Sequence, residues 1–172
     1  IEPPPLRPEP SISAAALAKR WRAKGWPVTG TSRSIEGATR LTAEGYRGLV
    51  FDGTAKQPVV TTALATATHV LVSAPPDGDG DPALRCHAAE LAASAGVLWI
   101  GYLSTVGVYG DHGGAWVEEA TALNPVSERS RRRVAAERAW LDFGAALGVS
   151  EDEVKADRLP PVSESSGQRQ LV

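Results

Sequence analysis

The sequence predicts an α/β fold in which helices cover both faces of a doubly wound, mostly parallel sheet. Short runs rich in valine, leucine and isoleucine alternate with longer runs of helical composition. Such apolar strands are typical of parallel sheets, because both faces of these sheets are buried. Glycine, proline and Asp-Gly pairs separate the runs, and these residues commonly end strands and helices. With 172 residues, 42% apolar and 22% charged, the chain is long enough for one domain with a hydrophobic core.

The expected elements follow one another in a regular order. The run AAALAKRWRAK predicts a first helix between Ser13 and Trp26, with Gly25 as its stop. Strands are then expected at 27–32, 47–51, 69–73, 97–103 and, more weakly, 154–158. Helices are expected at 36–44, 83–95 and 127–147, with a weaker helix or a turn at 58–67. In the last helix we expect one apolar face, which consists of Val134, Ala135, Trp140, Leu141 and Ala145.

Three segments divide the chain. Residues 1–12 contain five prolines, which favour an extended arm because proline lacks the N–H that an interior strand must donate. Residues 13–160 form the predicted α/β domain, and residues 161–172 form a tail whose polar composition is typical of disorder. The arm and the tail are suited to contact with a protein partner. The chain has no methionine and begins at Ile1, which predicts a processed form or a fragment.

Composition excludes several classes of function. A net charge of −2 gives no electrostatic reason to expect a nucleic-acid partner. No apolar run has the length needed to cross a bilayer. The single cysteine, Cys86, excludes an internal disulfide framework, and His69, His87 and His112 lack the spacing of metal ligands. We therefore expect a soluble protein of a reducing compartment, with no metal site.

The segment 97–119 carries the strongest candidate for chemistry. Its apolar strand runs into a hydroxyl pair, Ser104 and Thr105, and then into a glycine-rich loop. In open α/β sheets, ligands bind just beyond the carboxyl ends of the strands. Ser104 and Thr105 are therefore the candidate catalytic residues.

Three stretches together resemble a known superfamily. They are YLSTVGVYGDHGGAWVEE, NPVSERSRRRVAAERAWLDFGAALGV and GWPVTGTSRS, in the expected order along the chain. The sequence resembles the atypical branch of the extended short-chain dehydrogenase/reductases, which are related to NAD-dependent epimerases/dehydratases. This resemblance implies a Rossmann domain that binds NAD or NADP, followed by a substrate domain.

The resemblance also implies a catalytic site with two substitutions. The family's catalytic hydroxyl falls on Ser104, with Thr105 beside it. Arg129 takes the position of the family's catalytic tyrosine, and Arg133 that of its lysine. Arginine does not release its proton near neutral pH, so Arg129 cannot replace a phenol as acid and base. Arg133 keeps the ability to hydrogen-bond a ribose or a phosphate, which makes it a candidate cofactor residue.

Four arginines near the start of the last predicted helix also have a structural interpretation. Arg129, Arg131, Arg132 and Arg133 have acidic neighbours along the helix, Glu128 and Glu137. Such a pattern favours a solvated helix face over an anion-binding site.

The resemblance assigns the cofactor to the ends of the other strands. Ser32 and Arg33 follow the strand at 27–32, and an arginine there is typical of an NADP 2′-phosphate site. The resemblance implies that Asp52 and Gly53 contact the adenine. It assigns the ribose of the adenosine to the next strand end, at Ser73 and Ala74. Each position also has a structural interpretation. Arg33 can be a surface charge, Asp52 and Gly53 a turn, and Pro75, which follows Ser73 and Ala74, the end of a strand.

Two departures from the family leave three functions open. Glu9 and Ser11 stand where the phosphate-binding glycines belong, and Pro10 removes a backbone donor. Only 24 residues follow Gly148, too few for the usual substrate domain. In the first alternative, the chain is an NADP-binding but catalytically impaired relative of this family. In the second, it is a noncatalytic accessory subunit of a larger assembly. In the third, it is a fragment of an active NADP-dependent oxidoreductase or epimerase.

Overall fold

A computed structural model describes residues 12–148, with only the backbone described at Ile12. Helices and short strands alternate along this part of the chain. The helices are α1 (Ile12–Ala23), α2 (Ile35–Ala43), α3 (Pro58–Leu64), α4 (Pro82–Ala93) and α5 (Glu128–Ala146). The strands are β1 (Thr29–Ser32), β2 (Arg47–Val50), β3 (His69–Val72) and β4 (Trp99–Tyr102), and a 3-10 turn covers Val106–Val108. The predicted arm, the polar tail and the strand expected at 154–158 lie outside the described residues.

The four strands form two parallel pairs. In the first pair, β1 lies beside β2, with Ser32 opposite Val50. In the second pair, β3 lies beside β4, with Val72 opposite Tyr102. The mixed α/β class and the parallel pairing are thus confirmed. Across residues 12–148 the two pairs remain separate two-stranded sheets, so a single doubly wound sheet is not seen in this part of the chain.

Side-chain caps fix where three of the helices begin. The hydroxyl of Ser34 accepts from the backbone N–H of Gly37 at the start of α2. Asp81 accepts from two backbone N–H groups at the start of α4, at 2.9 and 3.0 Å. Ser127 accepts from the N–H of Ser130 at the start of α5. Each cap satisfies donors that have no partner within the helix.

Helix α2 lies directly against strand β2. The contact is closest at Gly48, where a Cβ atom would overlap the carbonyl oxygen of Ala38. Glycine is therefore required here by the approach of the helix backbone to the strand. This contact fixes the height of α2 above the first strand pair.

Two hydrophobic clusters hold the elements together. The larger cluster lies between the second strand pair and its helices, and its buried members are Phe51, Val60, Leu64, Ala67, Val70, Val72, Leu91, Tyr102, Ala136 and Trp140. The smaller cluster surrounds Trp21 and Val28. The Trp26 ring meets the His69 ring edge-on, with centroids 5.3 Å apart, which brings the segment before β1 against the start of β3. Among residues 12–148, no helix combines the length and the apolar composition that a bilayer span requires.

The buried face of α5 differs from the expected one. Val134 and Trp140 are buried as predicted, but Ala135, Leu141 and Ala145 are exposed, so the prediction was wrong for these three. The residues that α5 buries are Ser130, Arg133, Val134, Ala136, Trp140 and Gly144. Apolar periodicity failed because alanines occur on both the buried and the exposed sides of this helix. In addition, two polar side chains are buried: Arg133 bonds the end of β4, and Ser130 lies beside the 3-10 turn.

Candidate functional site

The predicted site residues follow the carboxyl ends of the strands. Within each parallel pair these ends lie side by side, so Ser32 at the end of β1 is close to the end of β2. In the same way, Ser73 follows β3 next to the end of β4, where Ser104 lies two residues after Tyr102. The structure thus brings together Ser32 with the β2 end, and Ser73 with the β4 end.

Arg133 joins the ends of β3 and β4. Its side chain is 7% exposed, and its Nη1 atom donates to the carbonyl oxygen of Leu103 at 2.9 Å and to the hydroxyl of Tyr102 at 3.0 Å. A longer bond of 3.5 Å reaches the carbonyl of Ala74. These acceptors compensate for the burial of the charge. Arg133 therefore cross-links two strand ends, and its predicted contact with a cofactor remains a prediction.

The neighbouring arginines behave as the sequence predicts. Arg131 and Arg132 are exposed and bond the carboxylate of Glu128 at 3.2 and 3.1 Å. The solvated-face interpretation is thus confirmed for these two and wrong for Arg133. Arg133 is one residue beyond this exposed pair, so its side chain points to another side of the helix, toward the sheet. Its acceptors there are the Leu103 carbonyl and the Tyr102 hydroxyl.

A second arginine, which the sequence analysis missed, joins β2 to the loop after β3. Arg85 bonds both carboxylate oxygens of Asp77, at 2.9 and 3.0 Å, and donates to the carbonyl of Gly53 at 2.8 Å. Hydrogen bonding to Arg85 is the main cause that lowers the pKa of Asp77 to about 2. The ion pair therefore persists through the neutral pH range and holds the two loops together. No local sequence signal identifies it, because the partners are eight residues apart across a loop and a helix start.

The candidate catalytic hydroxyls lie at the surface beyond β4. Ser104 and Thr105 are both exposed. The hydroxyl of Thr105 accepts from the N–H of Gly107, so Thr105 also caps the 3-10 turn. Arg129, to which the predicted resemblance assigns the tyrosine position, is exposed on the first turn of α5. The two hydroxyls are accessible to a ligand, but no phenol stands at the start of α5 beside them.

Near the end of β4 a phenol, Tyr102, contacts a cation, Arg133. The sequence did not predict this pair. The Tyr102 hydroxyl accepts from Arg133, and the guanidinium lies 5.6 Å from the centre of the Tyr102 ring. Tyr102 is 8% exposed, and burial raises the pKa of its phenol. A protonated, enclosed phenol is a poor base at neutral pH. This pair therefore serves packing and does not supply acid–base catalysis.

The end of β1 leads directly into the N-terminus of α2. Arg33 is exposed there, and Ser32 is partly buried, with its hydroxyl 3.5 Å from the N–H of Ser34. The positive end of the helix and the guanidinium both favour an anion. Glu36 opposes them, because its own backbone N–H and the Ser34 hydroxyl lower the pKa of its carboxyl and keep it ionised. The local charge is thus close to balanced.

The end of β2 is a tight turn. Asp52 accepts from the N–H and the hydroxyl of Thr54, at 2.9 and 2.8 Å, and these bonds lower the pKa of its carboxyl. Gly53 has a positive φ of 81°. Both features support the structural interpretation of Asp52 and Gly53 as a turn. Asp52 is exposed nevertheless, so it is accessible to a ligand beside the β1 end.

Comparison with known proteins gives a structural relative without a known role. No protein family profile and no curated protein sequence matches the chain. The chain is similar to a solved structure described as that of a functionally unknown conserved protein from Silicibacter pomeroyi DSS, with 40% identity and a TM-score of 0.66. The match covers 76% of this chain and 46% of that one. This chain therefore spans less than half the length of the relative.

Proposed function

We propose that this chain is the Rossmann-like part of an atypical short-chain dehydrogenase/reductase relative, which binds NADP but is impaired in catalysis. One observation carries the proposal, namely which strands pair. In a doubly wound sheet of order 3-2-1-4-5, the second strand lies beside the third and the fourth beside the fifth. If β1 to β4 are counted as the second to fifth strands of such a sheet, then β1 lies beside β2 and β3 beside β4, as this order requires. Both pairs are also parallel.

The strand-end residues fit the adenosine half of NADP. Arg33 and the N-terminus of α2 attract the 2′-phosphate, and Ser32 donates a hydrogen bond to it. Asp52 and Gly53 border the adenine, and Ser73 and Ala74 face the ribose. NADPH, when bound, supplies a hydride. The exposed carboxylate of Glu36 weakens the phosphate site through repulsion.

Catalysis is impaired because the site lacks a proton donor. Ser104 and Thr105 orient a carbonyl or hydroxyl of the substrate from the end of β4. An arginine at position 129 cannot take over the role of a phenol as acid and base. Arg133 uses its Nη1 atom on the strand ends. General acid–base catalysis typically contributes a factor of about 10² to 10⁴, which this site forgoes.

Calorimetric titration of the 172-residue chain with NADPH and with NADH tests the proposal. We expect NADPH to bind more tightly. Arg33→Ala should weaken NADPH binding about tenfold or more, because a charge-assisted hydrogen bond contributes roughly 1.5–3 kcal/mol. Glu36→Gln should strengthen it. Arg47→Ala is the matched control, because Arg47 is an exposed arginine at the opposite end of the same strand pair.

Two results would contradict the proposal. One is that neither nucleotide binds to a chain that circular dichroism shows to be folded. The other is that Arg33→Ala and Arg47→Ala weaken NADPH binding equally, which would mean that Arg33 does not contact the 2′-phosphate.

The accessory-subunit alternative has its own supporting observation. Three large apolar side chains of the segment after β4 are exposed: Val106 by 77%, Trp116 by 98% and Val126 by 67%. The almost fully exposed Trp116 favours a surface for a protein partner, because tryptophan is enriched at protein interfaces. Affinity capture with the wild-type chain and with Trp116→Ser as baits tests this alternative. A partner that only the wild type retains supports it, whereas identical captures contradict it.

The fragment alternative is supported by the comparison of lengths. The chain covers 46% of the Silicibacter relative, so more than half of that protein has no counterpart in the match. Reductase activity that appears when the missing part of a longer homologue is supplied, and not with this chain alone, would favour this alternative.

A further inference from the structure

Arg85 of α4 bonds two strand-end segments at once. Its Nη2 atom donates to the carbonyl of Gly53, in the turn after β2, at 2.8 Å. Its two terminal nitrogens also bond the two carboxylate oxygens of Asp77, in the loop after β3, at 2.9 and 3.0 Å. Because the guanidinium is planar and rigid, these bonds set the distance between the β2 turn and the β3 loop.

Helix α4 contacts the turn at Gly53 in two further ways. The Sγ atom of Cys86, the residue after Arg85, donates to the same carbonyl oxygen at 3.5 Å. A Cβ atom on Gly53 would lie only 2.8 Å from the Cβ atom of Pro82, at the start of the helix. Gly53 is buried and has a positive φ of 81°. The turn is therefore held in one position against the first turns of α4.

The loop after β3 is held near both of its ends. At Asp77 the carboxylate accepts from the N–H of Asp79 at 2.9 Å in addition to Arg85, and a bidentate bond between arginine and a carboxylate has a defined geometry. At Ala74 the carbonyl accepts from Arg133 of α5 at 3.5 Å. Two prolines, at positions 75 and 76, lie between these points, and their rings fix the φ angles. The segment 73–77 is thus a stiff wall.

We propose that Arg85 is a positioning residue for the adenosine half of NADP. The inference rests on the proposed function, in which Gly53 borders the adenine and Ser73 and Ala74 face the ribose. Adenine and ribose are joined directly, so the turn and the loop must stand at one separation to contact both. A site whose walls are ordered in advance loses less entropy on binding. Arg85 therefore raises the affinity through these two segments, without contacting the nucleotide itself.

This role predicts a particular pattern of nucleotide affinities. NADPH and NADH share the adenosine and differ only in the phosphate at the 2′-position. Loss of the Arg85 guanidinium should therefore weaken the binding of both nucleotides by the same factor. Arg33→Ala, in contrast, should weaken NADPH far more than NADH. The ratio of the two dissociation constants thus distinguishes a residue that positions the site from one that binds the phosphate.

Calorimetric titration of Arg85→Met with each nucleotide tests the proposal. Methionine keeps an unbranched side chain on the helix and removes the guanidinium. We expect both dissociation constants to rise about tenfold, because binding must then order the turn and the loop. Asp77→Asn keeps the bond from Arg85 to Gly53 and loses the ion pair. It should raise both constants about threefold, which is the effect of losing one surface ion pair.

Arg131→Met is the matched control. Like Arg85, Arg131 bonds a carboxylate, that of Glu128, and a backbone carbonyl, that of Val126, but it does so before and at the start of α5. Its loss should leave both dissociation constants within about twofold of the wild type. Amide hydrogen exchange without nucleotide gives a second readout. Arg85→Met should speed exchange in residues 52–54 and 77–80 about tenfold, and Arg131→Met should leave it unchanged.

The outcomes separate this inference from the proposed function. If the folded wild type binds neither nucleotide, the proposed function fails and this inference fails with it. If the wild type binds NADPH and Arg85→Met binds both nucleotides as tightly as the wild type, only this inference is overturned. A loss confined to NADPH would also overturn it, because Arg85 would then act on the 2′-phosphate. Equal losses in Arg85→Met and Arg131→Met would overturn it as well.

Discussion

Replacing the buried Arg133 with methionine should destabilise the protein substantially. Methionine keeps an unbranched side chain of similar length, so the change removes mainly the guanidinium. Two hydrogen bonds of 2.9 and 3.0 Å are lost, to Leu103 and Tyr102. Each is worth roughly 1.5–3 kcal/mol for a charged donor, and relief from burying the charge offsets part of the sum. We expect a net loss of about 2–4 kcal/mol in the free energy of unfolding.

Urea unfolding followed by far-UV circular dichroism measures this loss. With a slope of about 2 kcal/mol per molar, the midpoint should fall by roughly 1 to 2 M, at an unchanged slope. Arg132→Met is the matched control, because Arg132 lies next to it on α5, exposed and bonded to Glu128. It should cost at most about 0.5 kcal/mol. If both variants lose the same small amount, Arg133 does not cross-link the strand ends.

Two further predictions concern the packing of the fold. Burial lowers the pKa of His87 below its ordinary value of 6.5, so the unfolded chain binds the proton more tightly than the folded one. The free energy of unfolding should therefore fall as the pH drops below about 7, toward the folded-state pKa of His87. His87→Leu should flatten this part of the pH profile, measured as urea midpoints at several pH values. A profile of the variant as steep as that of the wild type would contradict this prediction. Gly48→Ala should cost about 1–3 kcal/mol because its Cβ would overlap the carbonyl of Ala38, whereas Gly78→Ala, which meets no atom within 4 Å, should be nearly neutral in the same assay. Equal costs for the two glycine variants would show that α2 does not press on β2.

The local elements could be predicted from the sequence because each has a local cause. Glycine and proline residues separate most of the strands and helices within residues 12–148, but none lies between β1 and α2 or between α3 and β3. The observed strands are shorter than expected. Helix α5 shows the limit of this reasoning. Its buried face includes Arg133, whose charge becomes acceptable inside only because partners from other elements reach it. Those partners come from distant parts of the chain.

The positions of the candidate site followed from chain order, but its internal bonds did not. Ser32 and Ser104 had to follow parallel strands, and the strand ends had to face the same way within each pair. The bond from Arg133 to Leu103 joins residues 30 positions apart. The bond from Arg85 to Gly53 joins residues 32 positions apart. No periodicity or spacing reports such contacts, so they required the three-dimensional structure.

The amide NMR spectrum of the isotope-labelled chain, titrated with NADPH, tests the central claim most directly. The proposal predicts that the largest shifts fall on Ser32, Arg33 and Gly53, at the carboxyl ends of the first strand pair. NADH should move the same signals less, because it lacks the 2′-phosphate. A spectrum that NADPH leaves unchanged, or shifts confined to the opposite ends of these strands near Thr29 and Arg47, would contradict the assignment of this chain as an NADP-binding protein.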